Sequence, residues 1–296
     1  MKVLNFGSLN LDYVYSVDHM VMAGETLATG GMSVFCGGKG LNQSIALAKA
    51  GVPVFHAGMI GEEGGILLEA CEKSGVNTAF IRQMPGKSGH TIIQVDKNGQ
   101  NCILLYGGAN RRITTEFVDE VLENYEAGDI LLLQNEVNAV GYIIDKAYEK
   151  KMMIIINPSP YDGALDGCDY SKISLFIMNE IEGWQITGEK EAGKILEKLR
   201  IIYPEAKVVL TLGTAGCVYQ DKENQCKQGI FKVNTVDTTA AGDTFTGYFI
   251  ASIIDGIPIS EGLKMAAKAS AIAVSREGAA SSIPMKEEVQ EFIFSL

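Results

Sequence analysis

Histidine is scarce in this chain: three in 296 residues, His19, His56 and His90, scattered rather than clustered. A histidine-built metal centre or a Ser-His-Asp relay is nearly excluded by supply alone. The six cysteines (36, 71, 102, 168, 217 and 226) form no Cys-x-x-Cys pair, so they are expected to be reduced thiols. Basic charge is short as well: 25 Lys+Arg face 36 Asp+Glu, a net charge of −11 with no basic run. That balance argues against a nucleic-acid partner or an anionic membrane surface. Long apolar runs are missing too; stretches such as Ile130–Leu133 and Met152–Ile156 fall far short of the roughly 20 residues of a membrane span. Lys2-Val3-Leu4-Asn5-Phe6 reads as a strand rather than the apolar part of a signal peptide, so a cytoplasmic location is expected.

What the chain does have is alternation. Lys2–Gly7, Val54–Gly58, Asp129–Gln134, Met152–Asn157, Leu175–Met178 and Lys207–Leu212 read as buried strands. Leu41–Ala50, Gly64–Ser74, Thr114–Glu126, Ala139–Lys151, Glu189–Tyr203, Thr244–Asp255 and Ser260–Ser275 carry helical periodicity. Such alternation implies a parallel sheet between layers of helices. Two regions, about 11–36 and 89–106, have no intervening helix and read as antiparallel strands. In the second, Lys97-Asn98-Gly99-Gln100 between two β-rich runs is a hairpin signal. These segments are expected to form a small sheet, a lid or an oligomer contact, within one domain spanning residues 1–296.

Chemistry concentrates in a few places. Cys36-Gly37-Gly38-Lys39-Gly40-Leu41-Asn42 leads from a strand into a helix, where small residues allow a ligand close to unpaired amides. Lys39 and Asn42 would point at a hydroxylated ligand. Asp237-Thr238-Thr239-Ala240-Ala241-Gly242-Asp243 precedes another helix, and the amides of residues 241–243 would form an anion hole backed by the helix dipole. Locally, Asp243 reads equally as an N-cap or as a general base. Asn157-Pro158-Ser159-Pro160, Asn179-Glu180-Ile181-Glu182, Leu212–Gly216 and Glu136 follow strand ends, where open α/β sheets bind ligands. Gly86-Lys87-Ser88 imitates the end of a P-loop, but residue 81 is Ile and a strand follows, so that reading fails.

Taken together, these motifs resemble the PfkB family of carbohydrate kinases, from Gly7-Ser8-Leu9-Asn10-Leu11-Asp12 to Ser282-Ile283-Pro284. The resemblance implies a ribokinase-like three-layer α/β/α fold with a mostly parallel central sheet and a small β-sheet lid. It implies ATP-dependent phosphorylation of a sugar, with ribose at its 5-hydroxyl first. The alternatives are fructose, 2-keto-3-deoxygluconate, deoxyribose or a nucleoside. By the same resemblance Asn10, Asp12, Gly38, Lys39, Asn42 and Glu136 hold sugar hydroxyls, and Asp243 is the base, with Ala241 and Gly242 in the anion hole. Asn179, Thr211, Gly213, Thr214 and Gly216 match nucleotide contacts, and Glu182 is linked indirectly to Mg²⁺. A monovalent-cation site, with K⁺ as activator, maps to Asp237, Thr239, Ala273, Arg276, Gly278 and Ser282. Gly107-Gly108-Ala109-Asn110 resembles the lid hinge, Ala267 lies near the expected adenine pocket, and the lid implies a homodimer.

Overall fold

The computed structural model describes residues 1–292. The chain opens with β1 (Val3–Phe6), β2 (Asn10–Val17), β3 (Gly31–Gly37), α1 (Lys39–Lys49), β4 (Val54–Ile60), α2 (Gly65–Lys73) and β5 (Asn77–Gln83). It continues through β6 (Gly89–Asp96), β7 (Asn101–Tyr106), α3 (Thr115–Leu122), β8 (Ile130–Gln134), α4 (Val140–Glu149), β9 (Met153–Asn157) and β10 (Leu175–Asn179). The remainder is α5 (Glu180–Thr187), α6 (Ala192–Ile202), β11 (Lys207–Thr211), β12 (Cys217–Gln220), β13 (Gln225–Gln228), α7 (Ala241–Ile254), α8 (Ile259–Val274) and α9 (Lys286–Glu291).

A nine-stranded sheet runs in the order β13-β12-β11-β10-β9-β8-β1-β4-β5. It is parallel from β11 to β5, and β12 and β13 close one edge as an antiparallel hairpin. Alternate strand residues feed two separate cores, as expected of a sheet covered on both faces. Val3, Ile130, Leu132, Ile155 and Val209 pack with residues of α1, α2, α7 and α8, whereas Leu4, Leu131, Leu133, Ile154 and Val208 pack with residues of α3, α4 and α6. The three expected layers are therefore present. On the first face α1 and α7 meet closely: a Cβ at Gly247 would lie 2.4 Å from that of Ala46. This contact sets the start of α7 against the start of α1.

The second sheet has the order β3-β2-β6-β7. β6 and β7 form the hairpin, with Asp96 accepting from the amides of Asn98 and Gln100 in its turn. The expectation of purely antiparallel pairing needs correction, because β2 and β6 are parallel. The connection between them passes through α1, α2 and β5 and so can return in the same direction. β5, the β12–β13 hairpin, α5 and α9 are elements that the apolar pattern does not reveal. Among the described residues no helix is long and apolar enough to cross a membrane.

Candidate active site

β1 sits between β8 and β4, so the chain turns opposite ways on either side of it. That switch point, at the carboxyl ends of the strands, is where the candidate residues gather. Just past β1, the Ser8 hydroxyl donates to Glu136 Oε2, beyond the end of β8. The Lys39 amide donates to the same oxygen at 3.0 Å, and the Gly40 amide reaches Ser8 Oγ at 3.2 Å. Glu136 is thereby tied to the first turn of α1, whose unpaired amides suit a carboxylate.

Asn10 and Asp12 lie at the base of the lid on β2. Asn10 Oδ1 accepts from Asn110 at 2.7 Å, and Asn110 in turn accepts from the Leu9 amide at 3.0 Å. Asp12 Oδ1 accepts from the Thr91 hydroxyl at 2.5 Å. Burial pushes the Asp12 carboxyl up to about 6; the Thr91 bond opposes this and the charge of Glu136 adds to it. Gly38, at φ 92°, packs against Ser8 and Asn10.

Asp243 is 7% exposed and held on both oxygens, by Asn42 Nδ2 at 3.0 Å and Gln43 Nε2 at 2.9 Å. The helix behind it starts at Ala241, earlier than the sequence pattern suggests, because Ala240 takes the left-handed conformation and is itself the cap. Asp243 therefore sits in the first turn, which removes the N-cap reading. The Ala241 amide donates to Thr238 O at 3.3 Å, while among the described residues the amides of Gly242 and Asp243 have no backbone acceptor. They open onto a cleft of about 230 Å³ lined by Lys39, Asn179, Glu182, Thr211, Gly242 and Asp243. Burial disfavours the Lys39 charge, but Asp243, Glu136 and Glu182 outweigh it and raise its pKa.

Other expected positions divide. Asn179 and Glu182 line the cleft but chiefly serve each other. Asn179 caps α5, and Glu182 accepts from the Asn179 amide at 2.9 Å and its side chain at 3.0 Å. Thr211 reaches the cleft, whereas Gly213, Thr214 and Gly216 form a turn beyond its lining. Asp237 accepts from the Thr239 amide and hydroxyl and from the Gly278 amide, so residues 237–239 and 276–282 stand side by side. Those bonds outweigh burial and hold the Asp237 carboxyl below its usual range. Nearby, Ala273 O accepts from the Arg276 amide, the Arg276 guanidinium pairs with Glu288 and Ser282 Oγ donates to Ala279 O. With its carboxyl held low, Asp237 supplies an anionic oxygen between these two segments, the type of donor a hard cation takes. Among the described residues there is no cluster of three or more His, Cys, Asp or Glu able to hold a metal.

Ser8, Gln43 and Thr91 join the site without having been given a role in it, as does Asn110 of the lid-hinge segment. Gln43 directly follows Asn42, and Thr91 faces Asp12 across the parallel pair, a relation that appears only once the strands are paired.

Amides at a helix start, beside polar side chains at the switch point of a parallel sheet, make an α/β protein suited to an anionic group and a polar small molecule. The chain belongs to the pfkB family of carbohydrate kinases, whose model matches residues 1–286. It is accordingly a sugar kinase that phosphorylates a hydroxyl group. It is 34% identical to a ribokinase of Schizosaccharomyces pombe, over 98% of this chain and 96% of that one. Its identity to a deoxyribokinase of Salmonella typhi is 28%, over 99% of each. The structure of Arabidopsis thaliana ribokinase complexed with ribose and ATP superposes with a TM-score of 0.86 at 26% identity, covering 98% of this chain and 97% of the other.

Proposed function

We propose that this protein, acting as one kinase unit, transfers the terminal phosphoryl group of ATP to the 5-hydroxyl of D-ribose, giving ribose 5-phosphate and ADP. The observation that carries the reading is Asp243: a buried carboxylate held by Asn42 and Gln43 beside the unbonded amides of Gly242 and Asp243. As the sugar oxygen bonds to phosphorus and the bond to ADP breaks, the hydroxyl proton passes to Asp243. The two amides, with the Lys39 charge, meet the negative charge on the transferring group, where positioning and electrostatics do most of the work. Mg²⁺ bound to ATP would supply further charge neutralisation, and a K⁺ held by Asp237 would steady the loop ahead of α7. Asn10, Asp12 and Glu136 hold the other hydroxyls.

A second reading, deoxyribose, has one observation in its favour. Thr91 already donates to Asp12 Oδ1, filling a place that a sugar hydroxyl would take. ATP-dependent ADP release with ribose and with deoxyribose decides between them by the ratio of kcat/KM. Asp243→Asn should lower kcat about 10²- to 10⁴-fold with sugar binding retained; near-normal turnover would remove Asp243 as the base. The homodimer rests on the lid, where Ile103, Leu104, Leu105 and Tyr106 of edge strand β7 are exposed. An uncovered apolar edge favours pairing with a second copy, and light scattering on the purified protein gives the mass directly.

A further inference from the structure

A buried chain of side-chain hydrogen bonds leads away from Asp243, and its direction is fixed at both ends. An ionised carboxylate only accepts, so Gln43 must turn Nε2 toward Asp243 Oδ1, the same nitrogen reaching Asn157 Oδ1 at 3.0 Å. Gln43 Oε1 then accepts from Gln134 Nε2 at 2.7 Å, and Gln134 Nε2 also donates to Asn5 Oδ1 at 3.0 Å. Asn5 Nδ2 donates to Gly40 O and Ser44 Oγ, both at 2.8 Å. That leaves the Ser44 proton for His56 Nδ1 at 2.8 Å and the His56 Nε2 proton for the Gly7 carbonyl at 3.1 Å. A carbonyl also only accepts, so both ends demand the same orientation of Gln134, whose Nε2 donates toward Gln43 on one side and Asn5 on the other. Burial holds His56 neutral, its pKa lowered to about 4, which provides the one donor and one acceptor nitrogen that the chain needs. Asn5, Gln43, Ser44 and His56 are fully buried. Gln134 Oε1 is left buried without a partner. Flipping that amide would set its oxygen against Gln43 Oε1 and Asn5 Oδ1.

We infer that Gln43 is a positioning residue: the chain from Gly7 through His56, Ser44, Asn5 and Gln134 keeps its N–H turned to Asp243 and so fixes the carboxylate that receives the sugar proton. The inference rests on Asp243 being the base. A Gln43 free to flip would present an oxygen to that carboxylate and drive it from its line with the hydroxyl.

Steady-state kinetics on the full-length protein, with Mg-ATP and the pentose that the wild type turns over faster, provide the test. Gln43→Met keeps length but donates nothing. It should lower kcat about 10- to 100-fold with both KM values within about threefold, since misplacement of a reacting group costs rate rather than affinity. Adding Gln43→Met to Asp243→Asn should leave the residual rate unchanged, because a residue acting through Asp243 then has nothing to act on. Wild-type kcat in Gln43→Met, or the same loss in both backgrounds, overturns the positioning role. Near-normal turnover of Asp243→Asn alone would instead overturn the base assignment. Gln134→Leu, which deletes the donor that orients Gln43, is the second variant should Gln43→Met not fold. It should lower kcat about tenfold at unchanged KM, and an unchanged kcat overturns the inference.

Discussion

Residue 37 lacks a side chain in the space that the carboxylate of Asp12 fills: a Cβ on Gly37 would lie 1.9 Å from Asp12 Oδ2 and 2.7 Å from its Cγ. Gly37→Ala must therefore displace Asp12 or the strand beneath it. Sugar KM should rise about tenfold or more with a smaller effect on kcat, and overpacking should cost about 1–3 kcal/mol of stability. Kinetics and thermal unfolding of the same variant check both; an unchanged KM would remove Asp12 from the sugar site.

Asp12 makes a pH prediction. Its folded pKa of about 6 lies above the ordinary 3.8 because of burial, against the Thr91 bond and with Glu136 adding. The folded state binds this proton more tightly than the unfolded one, so the Asp12 contribution to stability falls as pH rises from 3.8 to about 6. Above that, the ionised group carries the full penalty. Asp12→Asn should be more stable than the parent at pH 7.5, by on the order of 1–3 kcal/mol, and should lose this part of the pH dependence while its sugar KM rises. Unfolding curves from pH 4 to 8 give the first, initial rates the second.

Lys39 faces three carboxylates, and its pKa above 10.5 keeps it charged at neutral pH. The stabilisation it supplies is intact below 10.5 and lost only as pH climbs past its raised value. Lys39→Met should leave Asp243, Glu136 and Glu182 uncompensated and lower kcat/KM for ATP by about 10²-fold or more. Equal efficiency in the variant would place the lysine outside the phosphate path.

Glu182 and Asn179 form a capping box at the start of α5. Glu182→Ala should cost about 1 kcal/mol through the lost cap, with the Mg²⁺ midpoint of the rate moved less than about twofold, because both oxygens already serve Asn179. A larger shift in a Mg²⁺ titration would bring the carboxylate next to the metal.

The layers were legible because each central strand is apolar on both faces: Ile130–Leu133 and Ile154–Ile156 can only be buried between helices. The start of α5 was not, since Asn179 ends one strand and caps the next helix with no linker to mark the change. The start of α7 was set by the conformation of Ala240, which composition does not announce. That Asp243, Asn42 and Glu136 stand at strand or helix ends facing the cleft side was legible, the first two from their Gly-rich loops and Glu136 from its place after β8. Gln43 and Gln134 were not, because a glutamine in a sequence is ordinarily a surface residue, and only the converging elements reveal that these two are interior. The parallel pairing of β2 with β6 depends on the route taken by the chain between Val17 and Gly89, not on either strand's own pattern.

β1 ends at Phe6 and the lid strand β2 begins at Asn10, with Ser8 between them and Asp12 just beyond. The lid thus begins at Asn10 and Asp12, residues proposed to grip the sugar, and is joined to β1 through Ser8, which holds Glu136. A tilt of that sheet would then loosen the proposed grip at the same time. By reciprocity, a partner that shifted the sheet would adjust affinity for the sugar by as much as the sugar adjusted affinity for that partner.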